Sequence, residues 1–453
     1  DFSFTPVVFL SILLLIILAS KNELFREQLI YSWEWRTIDG IIIGALSLLY
    51  IVIGVYNLPD FPHRRHHFIS FFLFPSEKIW FSGLLAIIAV SFMIVLFVHF
   101  LQGEKKQIGE AFNEEKALKI LTTYGGNSDS QLIFLKDKRM FAYEKDGEPT
   151  VLLQFACFNN KCIVMGDPSG KKEDFPEAIE AFIEETDRLC YLPVFYETSE
   201  EIVMILHEFG YDFIKMGEEA YVDLNSFTTS GKKMKGTRAV LNRIEREGFT
   251  FDVLQPPFST EQMSTFKNIS DNWLGSRKEK GFSLGFFSED YLQRAPIAVV
   301  KNTQEEIVAF ATIMPTYTNN KVGTIDLMRY DSKKAPSGSM DFLFLHLFAY
   351  MKEEHIQWFN LGMAPLSNVG TSRKSFLQER IAYLVYEFGS HFYSFHGLRE
   401  YKSKYATNWV SRYTLYSRDS WIAYVMIALL IIDNAPVEQT QGRISGLKKW
   451  IRR

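Results

Sequence analysis

The strongest constraint on the fold is residues 79–101, IWFSGLLAIIAVSFMIVLFVHFL, which contain no Asp, Glu, Lys or Arg. A run of this length and composition is what a transmembrane helix needs to cross a hydrocarbon layer of ~30 Å. Residues 4–19 and 39–57 are nearly as apolar. The sequence therefore predicts about three transmembrane helices before residue 108. The alternative is that these segments are buried core helices.

From about residue 108 the chain has the pattern of a globular α/β protein. Residues 151–165 form two strand-like runs around an Asn-Asn turn, which is typical of a β-hairpin. Residues 175–190 have the apolar spacing of an amphipathic helix. A similar order of elements recurs over residues 260–363, so we predict two similar α/β units side by side, each with a mixed sheet.

Cysteine content and charge exclude several classes of protein. Cys157, Cys162 and Cys190 form no C-x-x-C pair, so we expect a reducing compartment, no disulfide framework and no structural zinc site. The net charge of −4 does not indicate a nucleic-acid partner, which would need a local basic patch.

Such a patch is present in residues 231–249, GKKMKGTRAVLNRIEREGF. A helical period places Lys235, Arg238 and Arg246 on one face, and Arg243 adds to the excess of positive charge. Guanidinium and ammonium groups in a row suit the phosphate oxygens of a nucleic acid or a lipid headgroup. A plain solvated helix face is the alternative.

A second candidate anion site follows the strand-like run that ends at Tyr330. Lys333 and Lys334 lie in a polar loop, and Ser337 and Ser339 are candidate N-caps of the apolar helix that comes next. The glycine-rich signature with which acetyltransferases bind coenzyme A is absent from this loop. The sequence therefore disfavours coenzyme A as a donor.

Two opposite charges interrupt the apolar strand GTIDLMRYD, residues 323–331. Strict alternation places Asp326 and Arg329 on opposite faces of a strand. Both can face one cleft only if the strand contains a bulge or ends between them, and bulges are common beside active sites. The alternative is that each charge has its own structural partner.

Residues 385–409 concentrate charged side chains among aromatic ones. Aromatic rings can stack on a terminal base, while Arg399, Lys402 and Lys404 can reach phosphates. Glu387 lies four residues before His391, but His391 and His396 have no partner at metal-ligand spacing, so no metal site is predicted. A surface element with aromatic core anchors is the alternative.

Three runs, residues 217–249, 325–344 and 388–405, together resemble the C-terminal catalytic region of phosphatidylglycerol lysyltransferases, the multiple-peptide-resistance factor family. The resemblance covers roughly residues 110–416. It implies tandem acetyltransferase-like (GNAT) folds, preceded by the end of a membrane flippase part. The predicted regions are residues 1–107 (transmembrane), 108–230 (first acetyltransferase-like domain), 231–416 (second, catalytic domain) and 417–453 (apolar helix and basic tail).

The resemblance also implies an activity. Such enzymes transfer lysine from lysyl-tRNA to a glycerol hydroxyl of phosphatidylglycerol without a cofactor, and the product confers resistance to cationic antimicrobial peptides. The expected location is the bacterial cell membrane with a cytoplasmic catalytic part, and self-association through the membrane part is allowed. The alternatives are alanine as the transferred residue, a peptidoglycan aminoacyltransferase of the FemABX type, and a non-catalytic membrane scaffold that binds polyanions.

The motifs of the family carry over to particular residues of this chain. The implied catalytic residues are Asp326, Arg329, Glu387 and one or both of Lys402 and Lys404. We expect the carboxyl groups to bind the aminoacyl ammonium or activate the hydroxyl, and Arg329 to hold a phosphate or polarise the ester. The predicted contacts to tRNA or lipid phosphate are Lys235, Arg238, Arg243, Arg246, Lys333, Lys334 and Arg399.

Overall fold

The computed structural model describes residues 107–319, 321–370, 374–380, 395–418 and 420–434, with five isolated positions between residues 41 and 52. Apart from those positions, the three predicted membrane segments and the basic C-terminal tail lie outside the described residues. Among the residues that are described, no helix is both long enough and apolar enough to cross a bilayer.

The described region combines helices with runs of consecutive strands. The helices are α1 (Glu114–Tyr124), α2 (Phe175–Arg188), α3 (Glu200–Glu208), α4 (Lys235–Arg246), α5 (Thr260–Leu274), α6 (Glu289–Leu292), α7 (Ser339–Glu353), α8 (Phe395–Ser403) and α9 (Ile422–Asp433). The strands are β1 (Arg139–Lys145), β2 (Glu148–Phe158), β3 (Lys161–Met165), β4 (Ser169–Gly170), β5 (Leu192–Thr198), β6 (Tyr211–Asp223), β7 (Thr250–Leu254), β8 (Ile297–Lys301), β9 (Ile307–Met314), β10 (Val322–Tyr330), β11 (Trp358–Pro365) and β12 (Asn408–Ser417). Short 3₁₀ helices cover Ser130–Leu135 and Lys172–Asp174.

The strands form one mixed sheet in the order β1-β2-β3-β5-β12-β6-β11-β10-β9-β8-β7, with β4 paired to β2. In each half of the chain the strands pair antiparallel except for one parallel pair, which is β3 with β5 in the first half and β10 with β11 in the second. The last strands of the two halves, β6 and β12, pair with each other at the centre. The predicted α/β class with tandem acetyltransferase-like halves is confirmed. The predicted division at residue 230 falls between β6 and α4.

Apolar residues cover both faces of the sheet. One core includes side chains of α1, α5 and α9, and another includes side chains of α4, α7 and α8. In α4 the predicted apolar side is present, because Ile244 is buried and Val240 and Leu241 pack against the second core. Helix α9 is packed on the folded unit, with Val425 and Leu429 fully buried.

Two local expectations are wrong. Cys157 and Cys162 are disulfide-bonded across the hairpin of β2 and β3, where the strand register places their Cα atoms 4.3 Å apart. The N-cap of α7 is Gly338 rather than a serine, and its φ is 85°. A Cβ at Gly338 would lie 2.4 Å from a methyl carbon of Val240, so the approach of α4 to α7 also requires glycine.

Candidate functional site

A gap opens in the centre of the sheet between the parallel strands β10 and β11. The two strands pair only over residues 322–324 and 358–360, although both continue further. Beyond this point β10 has a register shift against β9, and β11 has one against β6. Irregular strands that separate beside a parallel pair form a concave site lined by side chains from both strands.

The bulge in β10 brings the two strand charges to one face. Ile325 pairs with Ile313 and Met328 pairs with Ala311, so β10 has one extra residue in this interval. An extra residue reverses the alternation of side chains along the strand. Asp326 contacts the segment that follows α5, and Arg329 contacts α5 itself, so both side chains lie on the same face of the sheet. The predicted bulge is confirmed.

Asp326 is held against the loop between α5 and α6. Its Oδ1 accepts a hydrogen bond from the backbone N–H of Gly285 at 2.9 Å. A Cβ on Gly285 would lie 1.6 Å from Oδ2, so this approach is open only to glycine. Burial raises the pKa of Asp326 to about 6, against the opposing effects of the nearby Tyr291 hydroxyl and the Gly285 N–H. Oδ2 is buried and forms no hydrogen bond of standard geometry.

Arg329 is 5 % exposed and only partly paired. Its Nη2 donates to Glu279 Oε2 at 2.9 Å, and its guanidinium carbon lies 4.1 Å from the ring centroid of Trp273. Its Nη1 is buried without a hydrogen-bond partner. The Nη2 donor of Arg329 therefore has a structural partner, as the alternative of separately paired charges predicted. The Nη1 donor is available to an anion.

Lys402 and Lys404 occupy different environments. Lys402 is 9 % exposed, and its Nζ donates to the carbonyl oxygen of Met363, on the separated part of β11, at 2.8 Å. Burial lowers the pKa of Lys402 to about 8, although Glu197 and Glu219 act to raise it. The side chain of Lys404 is 45 % exposed and lies 3.7 Å from Asp341. The two lysines therefore differ in both burial and partner.

A buried polar network next to Lys402 was missed from the sequence. Asn360 on β11 donates to Glu219 on β6 and to Ser128, at 2.5 and 2.9 Å. Arg412 on β12 donates to the same Glu219 carboxylate, which also accepts a hydrogen bond from the Tyr221 hydroxyl at 2.9 Å. Arg412 is the one charged residue of β12, whereas β6 has five charged residues, so the signal that singled out Asp326 in an apolar strand does not single out Glu219.

Arg399 already has a carboxylate partner. Its guanidinium binds Glu218 and stacks on Trp409 at 4.5 Å. Although burial favours the neutral acid, hydrogen bonds from Lys215 and Asn368 lower the pKa of Glu218 to about 2. The Arg399–Glu218 pair is therefore ionised across the physiological range, and its guanidinium is less free for phosphate than the sequence predicts.

The basic helix α4 has two kinds of cation. Arg238 donates to the carbonyl oxygens of residues 229 and 231, and Arg243 donates to that of Ser337. Lys235 and Arg246 are exposed on the surface, and within the described part of the chain Arg246 is bonded only to the backbone of its own helix. Arg243 is exposed too, but its guanidinium is bonded to Ser337, so Lys235 and Arg246 are the cations of α4 that can contact an external polyanion.

The remaining predicted residues lie apart from the gap. Lys334 pairs with Glu306 at 3.1 Å, and Lys333 is exposed beside it. Glu387 lies outside the described residues. In the described part of the chain, no group of three or more His, Cys, Asp or Glu side chains is arranged to hold a metal ion.

This arrangement supplies groups suited to proton transfer and charge stabilisation. Lys402 and Asp326 have pKa values closer to neutrality than ordinary lysine and aspartate, because both are buried. A buried ammonium can stabilise a developing oxyanion more strongly than one in water. The site can therefore support acyl transfer from an activated ester, without a nucleophilic Ser or Cys.

Comparisons with known proteins agree on one family. The family model described as phosphatidylglycerol lysyltransferase, C-terminal, matches residues 118–416. The chain is similar to phosphatidylglycerol lysyltransferases of Bacillus subtilis, with 41 % identity over 93 % of the chain, and of Staphylococcus aureus strain COL, with 35 % identity over 92 %. The match covers 48 % of each of these relatives, so the chain spans about half the length of the curated relatives it matches.

Two solved structures are also similar. The structure of L-PGS from Bacillus licheniformis has 49 % identity and a TM-score of 0.67, covering 73 % of this chain and 100 % of that one. The C-terminal domain of a putative lysylphosphatidylglycerol synthetase from Agrobacterium fabrum has 32 % identity and a TM-score of 0.62, covering 71 % and 96 %.

Proposed function

The chain belongs to the phosphatidylglycerol lysyltransferase C-terminal family, and we propose that it transfers lysine from lysyl-tRNA to a glycerol hydroxyl of phosphatidylglycerol. The observation that carries this proposal is the buried ammonium of Lys402 at the gap between β10 and β11. The activity for which these relatives are named supports the acceptor lipid and the transferred amino acid.

The reaction is a transesterification. The lipid hydroxyl oxygen forms a bond to the lysyl carbonyl carbon, and the bond from that carbon to the ribose oxygen of the tRNA breaks. The hydroxyl proton moves to the departing ribose oxygen, so no oxidant, reductant or cofactor is consumed. The enzyme has to align hydroxyl and ester and stabilise the oxyanion formed between the two steps.

We assign roles to four residues. The Lys402 ammonium stabilises the oxyanion, and its pKa of about 8 also suits proton donation to the leaving oxygen. Asp326 orients the attacking hydroxyl through its unpaired Oδ2, and Arg329 offers its unpaired Nη1 to the lipid phosphate. Glu387 keeps its predicted role as base or ammonium anchor.

The partners follow from the same proposal. The exposed cations Lys235 and Arg246 of α4 contact the tRNA backbone. The acceptor lipid reaches the site from a bacterial cell membrane, in which we place the segments before residue 108, with the catalytic part cytoplasmic. The product carries a positive charge, which supports a role in resistance to cationic antimicrobial peptides. Self-association through the membrane part stays a prediction.

The test compares two lysines that lie two residues apart. Lys402→Met and Lys404→Met are assayed for transfer of radiolabelled lysine from lysyl-tRNA to phosphatidylglycerol vesicles. We expect Lys402→Met to lose about 10²-fold or more in kcat, because charge stabilisation and proton transfer are each of that size. Lys404→Met, which removes an exposed ammonium, should stay within a few-fold of the unmodified chain.

Two results would count against the proposal. Equal activity of the two variants would remove Lys402 from the chemistry. Transfer of lysine to a lipid-linked peptidoglycan precursor but not to phosphatidylglycerol would replace the acceptor with that of a FemABX-type enzyme.

A further inference from the structure

The loop between α5 and α6, residues 275–288, is held by carboxyl groups from distant parts of the chain. Besides the contact between Gly285 and Asp326, Asp137 accepts a hydrogen bond at Oδ2 from the backbone N–H of Phe282 at 2.7 Å. Asp137 follows the first 3₁₀ helix and belongs to the first half of the chain, whereas Asp326 lies on β10 of the second half. Two carboxyl groups from different halves therefore bind the same loop.

A third carboxyl group comes from the end of α9. Asp433 Oδ1 accepts a hydrogen bond from the Ser283 hydroxyl at 2.8 Å, and the Asp433 carbonyl oxygen accepts one from the backbone N–H of Gly281 at 3.1 Å. Helix α9 itself packs on β2 and β3, which belong to the first half of the chain. The loop of the second half is therefore attached to the first half both directly and through α9.

One buried cation lies among these carboxyl groups. The side chain of Lys138 is fully buried, and its Nζ donates to Asp137 Oδ1 at 2.7 Å and to the carbonyl oxygen of Leu132 at 3.2 Å. Burial raises the pKa of Asp326 and that of Asp433 to about 6, and the charge of Lys138 opposes this effect at both groups. We call Asp137, Lys138 and Asp433 the loop brace.

The braced loop also holds the second charge of β10. Glu279 in the loop accepts the hydrogen bond from Arg329 Nη2, as Gly285 in the same loop donates to Asp326. Residues 275–288, all of them in the described part of the chain, contain no helix or strand. Buried backbone N–H groups without partners in a helix or sheet need side-chain acceptors, and the brace supplies them here. The placement of Asp326 and Arg329 therefore depends on the brace.

We propose that the loop brace is a positioning device for the acceptor lipid, which fixes Asp326 and Arg329 through the α5–α6 loop. This inference rests on the proposed function, in which Asp326 orients the lipid hydroxyl and Arg329 holds the lipid phosphate. It gives the first half of the chain and α9 a part in the reaction, although none of the four residues with assigned roles lies in either.

Small displacements of these two side chains are enough to slow the transfer. A hydroxyl attacks an ester only within a narrow range of distances and directions, and a misplacement of about 1 Å can cost about 10²-fold in rate. The loop contacts the residues assigned to the lipid, whereas the cations assigned to tRNA lie on α4. A weakened brace should therefore affect the lipid and leave the binding of lysyl-tRNA unchanged.

The first experiment separates positioning from folding through the two Michaelis constants. Asp433→Ala removes the acceptor of the Ser283 hydroxyl, whereas Asp433→Asn keeps one. In Asp433→Ala we expect kcat to fall by about tenfold and KM for phosphatidylglycerol to rise by at least about threefold, with KM for lysyl-tRNA within about twofold. Asp433→Asn should restore most of the rate. A merely structural role would lower kcat with both KM values unchanged, because only the folded fraction would fall.

The second experiment removes the charge of Lys138. The double variant Asp137→Asn, Lys138→Met eliminates the buried pair together, keeps an acceptor for the Phe282 N–H and leaves no unpaired charge, so it should fold. Lys136→Met is the matched control, because the Lys136 ammonium pairs with the exposed Asp290 at 3.1 Å.

Loss of the Lys138 charge should raise the pKa of Asp326, because that charge favours the ionised carboxylate, which accepts the hydrogen bond of the lipid hydroxyl. The charged and titratable groups that also face Asp326, Arg329 on β10 and Tyr291 on α6, are unchanged. The acidic limb of the kcat/KM profile for phosphatidylglycerol should therefore move upward by about half a pH unit in the double variant and stay in place in the control. A structural role would lower the profile at every pH without moving the limb.

Hydrogen exchange measures the brace without catalysis. Peptides that cover residues 281–285 are followed by mass spectrometry of the full chain in detergent micelles. We expect about tenfold faster exchange in Asp433→Ala than in the unmodified chain, because the loop opens more often when it loses a buried acceptor. Asp433→Asn and Lys136→Met should exchange at nearly the unmodified rate.

The outcomes separate the brace from the activity. Unchanged exchange in Asp433→Ala, a fall in kcat with both KM values unchanged, or an acidic limb that stays in place in the double variant would overturn the proposal even if lysine transfer is observed. Faster exchange in a chain that transfers no lysine would support the brace and refute the proposed function. The half-buried Ser283 hydroxyl can bond to water in Asp433→Ala, so failure to fold is not expected.

Discussion

Replacing Asp326 by Asn should stabilise the protein at alkaline pH. The pKa of Asp326 is about 6 in the folded chain, against an ordinary value of 3.8. Each pKa unit corresponds to about 1.4 kcal/mol of free energy, so the ionised carboxylate costs about 3 kcal/mol of folding stability. Asn keeps an acceptor for the Gly285 N–H and carries no charge.

The sign of the pH dependence follows from proton binding. Between pH 3.8 and 6 the folded state binds more protons at Asp326 than the unfolded state does. The stability contribution of this group therefore falls as pH rises through that window, and the full cost is present above pH 6. Asp326→Asn should raise the free energy of unfolding by about 3 kcal/mol at pH 8 and by much less at pH 4.5.

The assay is urea unfolding of the purified chain in detergent micelles, followed by circular dichroism at both pH values. Asp252→Asn serves as a control of opposite sign, because a hydrogen bond from Lys301 lowers the pKa of Asp252. That substitution should weaken the protein slightly at pH 8. A destabilising effect of Asp326→Asn at pH 8, or an effect that is equal at both pH values, would refute the reasoning.

Two further predictions concern backbone contact and charge. Gly285→Ala should lower the free energy of unfolding by about 1–3 kcal/mol in the same assay, because its Cβ would overlap the Asp326 carboxylate. Gly236→Ala, in open space on α4, should be neutral or stabilising. Equal effects of the two substitutions would contradict the close approach of Gly285 to Asp326. The double variant Lys235→Glu, Arg246→Glu should bind tRNA more weakly and show a smaller dependence of affinity on salt concentration. Filter binding between about 50 and 200 mM salt measures both effects, because phosphate contacts respond over this range. An unchanged salt dependence would remove α4 from the tRNA interface.

Local patterns in the sequence determined most of the elements. The Asn-Asn hairpin, the amphipathic helix α2 and the apolar side of α4 are all where spacing predicted them. Asp326 and Arg329 could be singled out because charges within an apolar strand are visible without any tertiary information. The bulge between them could be inferred for the same reason, since strict alternation would have separated them.

Only the tertiary structure decided which distant residues meet. Strand β12 lies between β5 and β6, and this insertion brings Arg412 to Glu219 across nearly two hundred residues of chain, a separation of 193. The same pairing surrounds Lys402 with carboxylates and distinguishes it from Lys404. Strand order and register between distant segments depend on packing of the whole sheet rather than on local periodicity. The sequence therefore determined the elements and the charges they carry, while the tertiary structure decided which of those charges share a site.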